Sequence, residues 1–242
     1  MALVVIPVRM GSERLPGKPL LAETGRPLVI HTWEAARRAR CATQVVVATD
    51  DKRIAAAVGK AGGRTALTGE CRSGTDRVSE AMAAFPGEDL VLNVQGDEPE
   101  IDPASLDALA DAMEADPAIE MGTLAAPLGP GEESLPSVVR VVVDLKGFAL
   151  YFSRAPIPFR READGPARAL RHVGVYAYRR AFLARFAALP PTPLERTESL
   201  EQLRALENGV RIRVVPVDRA HPGVDTREDY EAFVRRWRER NG

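Results

Sequence analysis

The sequence predicts an α/β fold: a mixed, mainly parallel sheet flanked by helices, with an antiparallel extension in the second half. Two patterns lead to this prediction. Apolar runs alternate with amphipathic stretches in the first half, as in βαβ units that feed a parallel sheet. Strand-like segments on both sides of a turn at 144–147 then indicate antiparallel neighbours. At 242 residues, of which 45% are apolar, the chain can bury the core of a single domain.

Strands and helices alternate in the predicted first half. Strands are predicted at 2–8, 44–51, 64–68 and 89–97, and helices at 27–40, 51–63, 78–85 and after Asp102. Pro27 and Pro103 suit the first position of a helix, because the N–H that proline lacks would have no helical partner there. Residues 69–77 are predicted to form a loop.

The predicted second half contains more strands and a candidate lid. Strands are predicted at 120–128, 137–144, 148–155, 170–179 and 211–217, and helices at 180–189, at 197–209 and from about Thr226. The polar segment 161–170 carries Gly and Pro and is expected to form a lid-like insertion.

Charge and cysteine content exclude several classes of function. The net charge of −1 provides no overall basic field, so neither nucleic acid nor a membrane surface is an expected partner. No apolar run has the length of a membrane span and the chain opens directly into a strand, which favours a cytoplasmic protein. Cys41 and Cys71 lie far apart and follow no metal-binding spacing, so both are interpreted as structural or incidental.

Three cations follow the first strand within a loop that also carries glycines. Arg9, Arg14 and Lys18 lie in this loop with Gly11 and Gly17. Ligands of open α/β sheets bind beyond the carboxyl ends of the strands, so we expect these cations to face a ligand. Arginine and lysine bind phosphate oxygens, and glycine lets backbone N–H groups approach them. The loop is therefore predicted to bind a polyphosphate; the alternative is a solvated basic loop.

Acidic side chains at two other positions are candidate metal ligands. Asp97 and Glu98 follow the strand predicted at 89–97, where a hard cation that bridges phosphates would lie. Asp97 is the first candidate metal ligand; the alternative is that both acids merely begin the next loop. Asp225 poses the same choice, because Thr226 and Asp229 have the spacing of a capping box for the last helix. A metal ligand and a helix cap can coexist there.

Eight motifs, in chain order, resemble the 3-deoxy-manno-octulosonate cytidylyltransferase family, also called CMP-Kdo synthetases. They are "IPVRMGSERLPGKPL", "VVATDD", "SGTDR", "NVQGDEP", "ALYFSRAPIP", "RHVGVYAYR", "LEQLRALENG" and "VDTREDYE". The resemblance implies a Rossmann-like nucleotide-diphospho-sugar transferase fold that forms a homodimer. It also implies transfer of CMP from CTP to the sugar acid Kdo, with Mg²⁺ as cofactor, pyrophosphate as by-product and lipopolysaccharide assembly as the destination.

The resemblance also implies residue roles and a division of the single domain 1–242. Residues 1–115 would form the nucleotide-binding half, and residues 116–242 the half for sugar-acid binding and dimerisation. Catalysis is assigned to Lys18, Arg14 and Asp97, the CTP contacts to Arg9, Arg14, Lys18, Ser73, Gly74 and Thr75, and the Mg²⁺ ligands to Asp97 and Asp225. The sugar acid would contact Gln95, Arg154, His172, Tyr176, Glu201 and Gln202.

Other interpretations of these residues remain open. His172 could be a core histidine with a satisfied hydrogen bond, and Tyr176 could serve packing alone. Glu201 and Gln202 could lie on the solvent face of a helix. Two other functions are also open: a cytidylyltransferase for a different sugar acid, such as sialic acid, and a non-catalytic nucleotide-binding regulator. No residue is assigned as a general base, because a metal-bound hydroxyl has a lowered pKa.

Overall fold

A computed structural model describes residues 1–12, 14–159, 161 and 169–241. The chain divides into two units, one formed by 1–107 with 221–242 and the other by 108–220. In chain order the strands are β1 (Ala2–Pro7), β2 (Ala42–Thr49), β3 (Arg64–Leu67), β4 (Leu90–Asn93), β5 (Met121–Pro127), β6 (Arg140–Val143), β7 (Ala149–Ser153), β8 (Leu170–Arg179) and β9 (Ile212–Pro216). The helices are α1 (Leu28–Ala36), α2 (Lys52–Lys60), α3 (Gly74–Ala83), α4 (Pro103–Glu114), α5 (Arg180–Ala188), α6 (Pro193–Glu198), α7 (Gln202–Glu207) and α8 (Arg227–Asn241).

Parallel strands in the order β3-β2-β1-β4 form the sheet of the first unit. Every residue of β1 is buried, as expected for a central strand of a parallel sheet that is covered on both faces. Because all four strands run in one direction, their carboxyl ends share one edge. The loops that follow β1, β3 and β4 start from this edge.

Antiparallel pairing dominates the second unit. Strand β5 pairs antiparallel with β8 and parallel with β9, and β6 pairs antiparallel with β7 and β8. The predicted turn between β6 and β7 is confirmed: the Gly147 N–H donates to the Asp144 carbonyl at 3.0 Å, and Gly147 has a left-handed φ of 78°. The prediction of antiparallel neighbours in this half is therefore confirmed.

Three helix predictions need correction. The first helix ends at Ala36 rather than 40, and Pro27 is its N-cap rather than its first helical residue. Helix α3 begins at Gly74, because the Ser73 hydroxyl accepts from the Asp76 N–H at 3.1 Å, so part of the predicted loop 69–77 is helical. The single helix predicted at 197–209 is wrong: Ser199 adopts a left-handed φ of 53°, which separates α6 from α7.

Two predicted helix caps are confirmed. The Asp102 carboxylate accepts from the Ala104 N–H at 3.0 Å, at the start of α4. The Thr226 hydroxyl accepts from the Asp229 N–H at 3.2 Å, and the Asp229 carboxylate accepts from the Thr226 N–H at 2.9 Å. This reciprocal pair is the predicted capping box of α8.

The predicted lid at 161–170 lies largely outside the described residues, which include only Arg161, Ala169 and Leu170 of it. Within the described part of the chain, no helix combines the length and the apolar character that crossing a membrane requires.

Candidate active site

The loop after β1 is fixed by apolar packing and by one glycine. Leu15 is buried in a cluster with Leu28, Val224, Tyr230 and Phe233, which anchors the loop to α1 and α8. Gly17 has a left-handed φ of 71°, a conformation that favours glycine, and a short 3₁₀ turn follows over Lys18–Leu20. The turn directs Lys18 inward while Arg9 and Arg14 remain exposed.

The Lys18 ammonium is held by three oxygen acceptors. It donates to Asp97 Oδ2 at 2.7 Å, to the Val224 carbonyl at 2.8 Å and to Asp225 Oδ1 at 3.4 Å. An ammonium has three N–H donors, so all of its hydrogen-bonding capacity is used. Only 12% of the side chain is exposed, and this low exposure strengthens each attraction. Arg14 adds an ion pair with Asp225 at 3.1 Å.

Backbone contacts place the two carboxylates around Lys18. Asp97 follows β4, and its carbonyl accepts from the Val224 N–H at 2.9 Å, which ties the segment before α8 to the end of this strand. The carbonyl of Gly96 accepts from the Thr32 hydroxyl of α1 at 3.1 Å. A Cβ at Gly96 would lie 2.7 Å from Val8 Cγ2, so only glycine allows this close approach of the loops after β1 and β4.

A cavity of about 590 Å³ opens above this cluster in the first unit. The predicted site residues that line it are Arg9, Arg14, Lys18, Ser73, Gly74, Gln95, Asp97 and Asp225. Thr75 is buried and does not line it. The structure thus brings together the predicted polyphosphate loop, both candidate metal ligands and the start of α3.

Sequence reasoning assigned no role to several residues of the cavity wall, three of which carry reactive or charged side chains. Cys71, Arg72 and Arg77 also line the cavity. Burial raises the pKa of the Cys71 thiol, with a smaller contribution from its hydrogen bond to Glu80, so the thiolate is disfavoured. Cys41 does not line the cavity. It is buried, and desolvation raises its pKa to about 12. Arg77 could have been predicted, because it is the last residue of the motif "SGTDR" that also carries Ser73.

The acid pair suits a hard cation that also binds phosphate. Asp97 and Asp225 approach one ammonium, so their oxygens lie close enough to share a cation of similar position. The described residues contain no group of three or more His, Cys, Asp or Glu side chains that would form a complete metal cage. Mg²⁺ commonly takes one or two carboxylates and completes its shell with water and substrate phosphates. The donor set therefore fits Mg²⁺.

In the second unit, His172 is a neutral hydrogen-bonding group. Its Nε2 lies 2.9 Å from the Thr123 hydroxyl, which also lies 2.8 Å from the Val175 carbonyl. Because the hydroxyl has one proton and the carbonyl can only accept, Nε2–H must donate to Thr123, which leaves Nδ1 as an acceptor. Desolvation lowers the pKa of His172 to about 3, and the Phe152 ring packs edge-on against it.

Tyr176 and Gln202 lie beside His172 and carry an unused donor. The Tyr176 hydroxyl donates to Gln202 Oε1 at 3.1 Å, and burial raises the pKa of Tyr176. Gln202 is 2% exposed, so the interpretation as solvent face is wrong for this residue. Its Nε2 has no hydrogen-bond partner among the described residues. A buried amide donor without a partner is costly, and a ligand oxygen would satisfy it.

The remaining two candidates contact other parts of the second unit. Arg154 is partly buried; its Nε donates to the Glu198 carbonyl at 2.9 Å, and its backbone N–H donates to the Glu198 carboxylate at 2.9 Å. Glu201 is half-exposed and lies 3.9 Å from Arg204. The structure therefore places Arg154 in a brace between β7 and α6, and Glu201 at the start of α7.

Comparison with known proteins adds an independent line of evidence. A family model described as cytidylyltransferase matches residues 3–212. A 3-deoxy-manno-octulosonate cytidylyltransferase of Anaeromyxobacter sp. (strain Fw109-5) is 54% identical over 94% of this chain and 93% of its own length. The chain belongs to the 3-deoxy-manno-octulosonate cytidylyltransferase family. The resemblance drawn from its motifs is confirmed.

Further members of the 3-deoxy-manno-octulosonate cytidylyltransferase family agree over the whole chain. The enzyme of Chlorobaculum parvum is 49% identical over 99% of this chain and 98% of its own length. The solved structure of a CMP:2-keto-3-deoxy-manno-octonic acid synthetase complexed with CTP matches with a TM-score of 0.94 and 44% identity, and covers 99% of both chains. The predicted mixed α/β nucleotidyltransferase fold is thereby confirmed.

We predict that Gly96→Ala destabilises the protein. The new Cβ would lie 2.7 Å from Val8 Cγ2 and 3.2 Å from the Pro7 carbonyl, so the loop after β1 must shift. Overpacking of this kind costs about 1–3 kcal/mol of unfolding free energy, measurable by urea denaturation. Gly11→Ala is the control, because no atom of the described residues lies within 4 Å of its Cβ position. Equal stability of the two variants would contradict the prediction.

Proposed function

We propose that this protein transfers CMP from CTP to the anomeric hydroxyl of 3-deoxy-D-manno-octulosonate (Kdo) and releases pyrophosphate. The observation that carries the proposal is the cavity in which Lys18 joins Asp97 and Asp225 beneath exposed arginines. Its size suits one nucleotide. Its cations suit a triphosphate, because the charge-assisted hydrogen bonds of lysine and arginine are the strongest available to phosphate oxygens.

We assign the CTP contacts to the cavity wall. Arg9 and Arg14 are exposed, long and flexible, so they can close on the outer phosphates, whereas Lys18 has a fixed position near the acid pair. Ser73 and Gly74 begin α3, and we assign them, with the neighbouring Thr75, to the nucleoside. Thr75 would act through its backbone or by shaping the helix start, because its side chain lies away from the cavity wall.

We assign Asp97 and Asp225 to a Mg²⁺ ion that binds with the nucleotide. When bound, Mg²⁺ neutralises charge on the phosphates and lowers the pKa of a coordinated hydroxyl. Lys18 lies between the same carboxylates, and it would turn towards the α-phosphate when CTP binds. The lysine would then meet the phosphate while the two acids hold the metal.

Charge repulsion is the barrier that these residues address. The hydroxyl of Kdo attacks the α-phosphorus in line with the departing pyrophosphate, and both reactants are anions. Lys18 and Arg14 offset this repulsion and stabilise the charge that accumulates in the transition state. Binding both reactants also replaces a bimolecular encounter by an oriented one. No side chain is assigned as general base, since a pKa of about 3 makes the His172 imidazole a poor proton acceptor; the Kdo hydroxyl would lose its proton to water.

We assign the sugar acid to the polar cluster of the second unit, with Arg154 and Glu201 of the same unit. Gln95, the remaining predicted contact, lines the cavity of the first unit. His172 Nδ1 would accept from a sugar hydroxyl, and Gln202 Nε2 would donate to one. Groups that remain uncharged distinguish hydroxyl positions by geometry, and a missing hydroxyl would leave them unpaired. The buried amide donor without a partner supports this assignment most directly.

We also propose a homodimer that works in the cytoplasm and supplies lipopolysaccharide assembly. Several large apolar side chains of the second unit are exposed, namely Leu135, Leu145, Leu150 and Phe159. We name these side chains as candidates for the contact between protomers, because burial of apolar surface stabilises association. The cytoplasm is the compartment that supplies CTP to such a reaction.

The proposed reaction is tested by the release of pyrophosphate from CTP with and without Kdo. We expect release that requires both substrates and Mg²⁺, and formation of CMP-Kdo in equal amount. Sialic acid in place of Kdo is the control for the choice of sugar acid. Release without any acid, or faster release with sialic acid, would contradict the proposal.

We predict that Asp97→Asn abolishes most turnover without unfolding the protein. The amide is a weaker ligand for a hard cation than the carboxylate, so activity should fall at least about 100-fold and need more Mg²⁺. A Mg²⁺ titration of the initial rate measures both effects, and circular dichroism checks the fold. Normal activity in a folded variant would remove Asp97 from the metal site.

We predict that Lys18→Met lowers kcat far more than it weakens CTP binding. Methionine keeps the aliphatic stem but removes the charge that stabilises the α-phosphate in the transition state, a loss of about 100- to 1000-fold in kcat. Initial rates with CTP and Kdo varied in turn separate the two effects. A change confined to the KM for CTP would reassign Lys18 to ground-state binding.

We predict that Gln202→Ala raises the KM for Kdo about fivefold and leaves the KM for CTP unchanged, because one hydrogen bond to the sugar is lost. Steady-state kinetics with each substrate varied in turn provides the measurement. Glu207→Ala is the matched control, since Glu207 is exposed on the same helix. Equal changes in both KM values, or none, would show that Gln202 does not contact the sugar acid.

A further inference from the structure

The loop between β3 and α3 forms one wall of the cavity. Its residues Cys71, Arg72 and Ser73 all line the cavity. Residues 68–73 belong to no strand or helix, so side-chain contacts from nearby elements help to fix their conformation. Two residues of α3, one helical turn apart, supply such contacts.

The first contact is made by Arg77, which is 4% exposed. Its guanidinium donates through Nη1 to the Thr68 hydroxyl and through Nη2 to Asp50 Oδ2 at 2.8 Å. Asp50 follows β2, and the Thr68 N–H donates to the Thr49 carbonyl at 3.0 Å. Arg77 therefore joins the start of the loop to the carboxyl ends of β2 and β3.

The placement of Arg77 is unfavourable in two respects. A buried guanidinium loses its hydration, and a cation in the first turn of a helix faces the positive end of the helix dipole. The Asp50 carboxylate offsets both costs. Because Asp50 offsets these costs, we infer that Arg77 needs Asp50 to keep this buried position.

The second contact is made by Glu80, three residues further along α3. Its Oε1 accepts from the Gly69 N–H at 2.8 Å, and its Oε2 lies 3.3 Å from Cys71 Sγ. Residues three apart lie on the same face of a helix, so Arg77 and Glu80 approach the loop from one side. Together they hold residues 68–71, the part of the loop that leads into the cavity-lining residues Cys71, Arg72 and Ser73.

We propose that Asp50, Arg77 and Glu80 are positioning residues for CTP, and that they act by holding loop 68–73 in its binding conformation. The proposal rests on the proposed function, in that the cavity binds CTP. Asp50 and Glu80 are absent from the described cavity lining, so they act through the loop. Their removal should weaken CTP binding and leave the chemical step and Kdo binding intact.

The test compares Asp50→Asn and Glu80→Ala with the wild-type enzyme. We expect the KM for CTP to rise about fivefold in each variant, while kcat and the KM for Kdo stay unchanged. Asp50→Asn removes the negative charge beside the buried Arg77, and Glu80→Ala removes the acceptor for the Gly69 N–H. Glu80→Gln should restore the wild-type KM, because its amide oxygen can still accept from the Gly69 N–H. Hydrogen exchange of residues 68–73 should be faster in Glu80→Ala than in the wild type.

Asp51→Asn is the matched control. Asp51 is the neighbour of Asp50, but its carboxylate caps α2 and pairs with Arg53. Asparagine can still cap α2, so this variant loses only the ion pair with the exposed Arg53 and should leave the fold and the KM for CTP unchanged. An unchanged KM for CTP in Asp50→Asn and Glu80→Ala, or an equal rise in Asp51→Asn, would refute the positioning role. A wild-type protein that does not turn over CTP would instead refute the proposed function.

Discussion

The contact of Lys18 with Asp97, Asp225 and the Val224 carbonyl is the constraint on which the first unit depends. It joins three segments that are remote in sequence: the loop after β1, the end of β4 and the residues before α8. The carboxylates of Asp97 and Asp225 both lie within 3.4 Å of the Lys18 ammonium, and its positive charge offsets the repulsion between them. The ammonium thereby stabilises the meeting of these three segments and keeps one cation and two acids together at the cavity.

Packing beneath the cluster keeps this arrangement in place. Leu15, Val224 and Tyr230 share one apolar cluster, so the loop that carries Lys18 and the segment that carries Asp225 cannot move independently. Gly96 allows the loops after β1 and β4 to touch, and the capping box of α8 fixes the residue next to Asp225. Apolar burial and backbone geometry therefore fix the positions of the charged side chains in the cavity.

Sequence patterns predicted the features that depend on residues close to one another in the chain. Buried strands, the Asp102 cap, the capping box at Thr226 and the turn before β7 were all predictable, because each depends on neighbours within a few residues. The break at Ser199 was not, since the apolar spacing continues through it while the backbone turns left-handed. The bond from Arg77 to Asp50 joins residues 27 apart, and no periodicity reveals such a pair.

The polar side chains of the two units differ in charge. The cavity of the first unit is lined by charged groups, which attract a polyanion and respond to its charge. In the second unit, burial keeps His172 and Tyr176 neutral by lowering the pKa of the histidine and raising that of the tyrosine. Uncharged donors and acceptors gain little from a ligand's net charge, so their selectivity depends on where its hydroxyls lie. Under the proposed assignment, CTP binding and the choice of sugar acid would therefore depend on separate sets of residues.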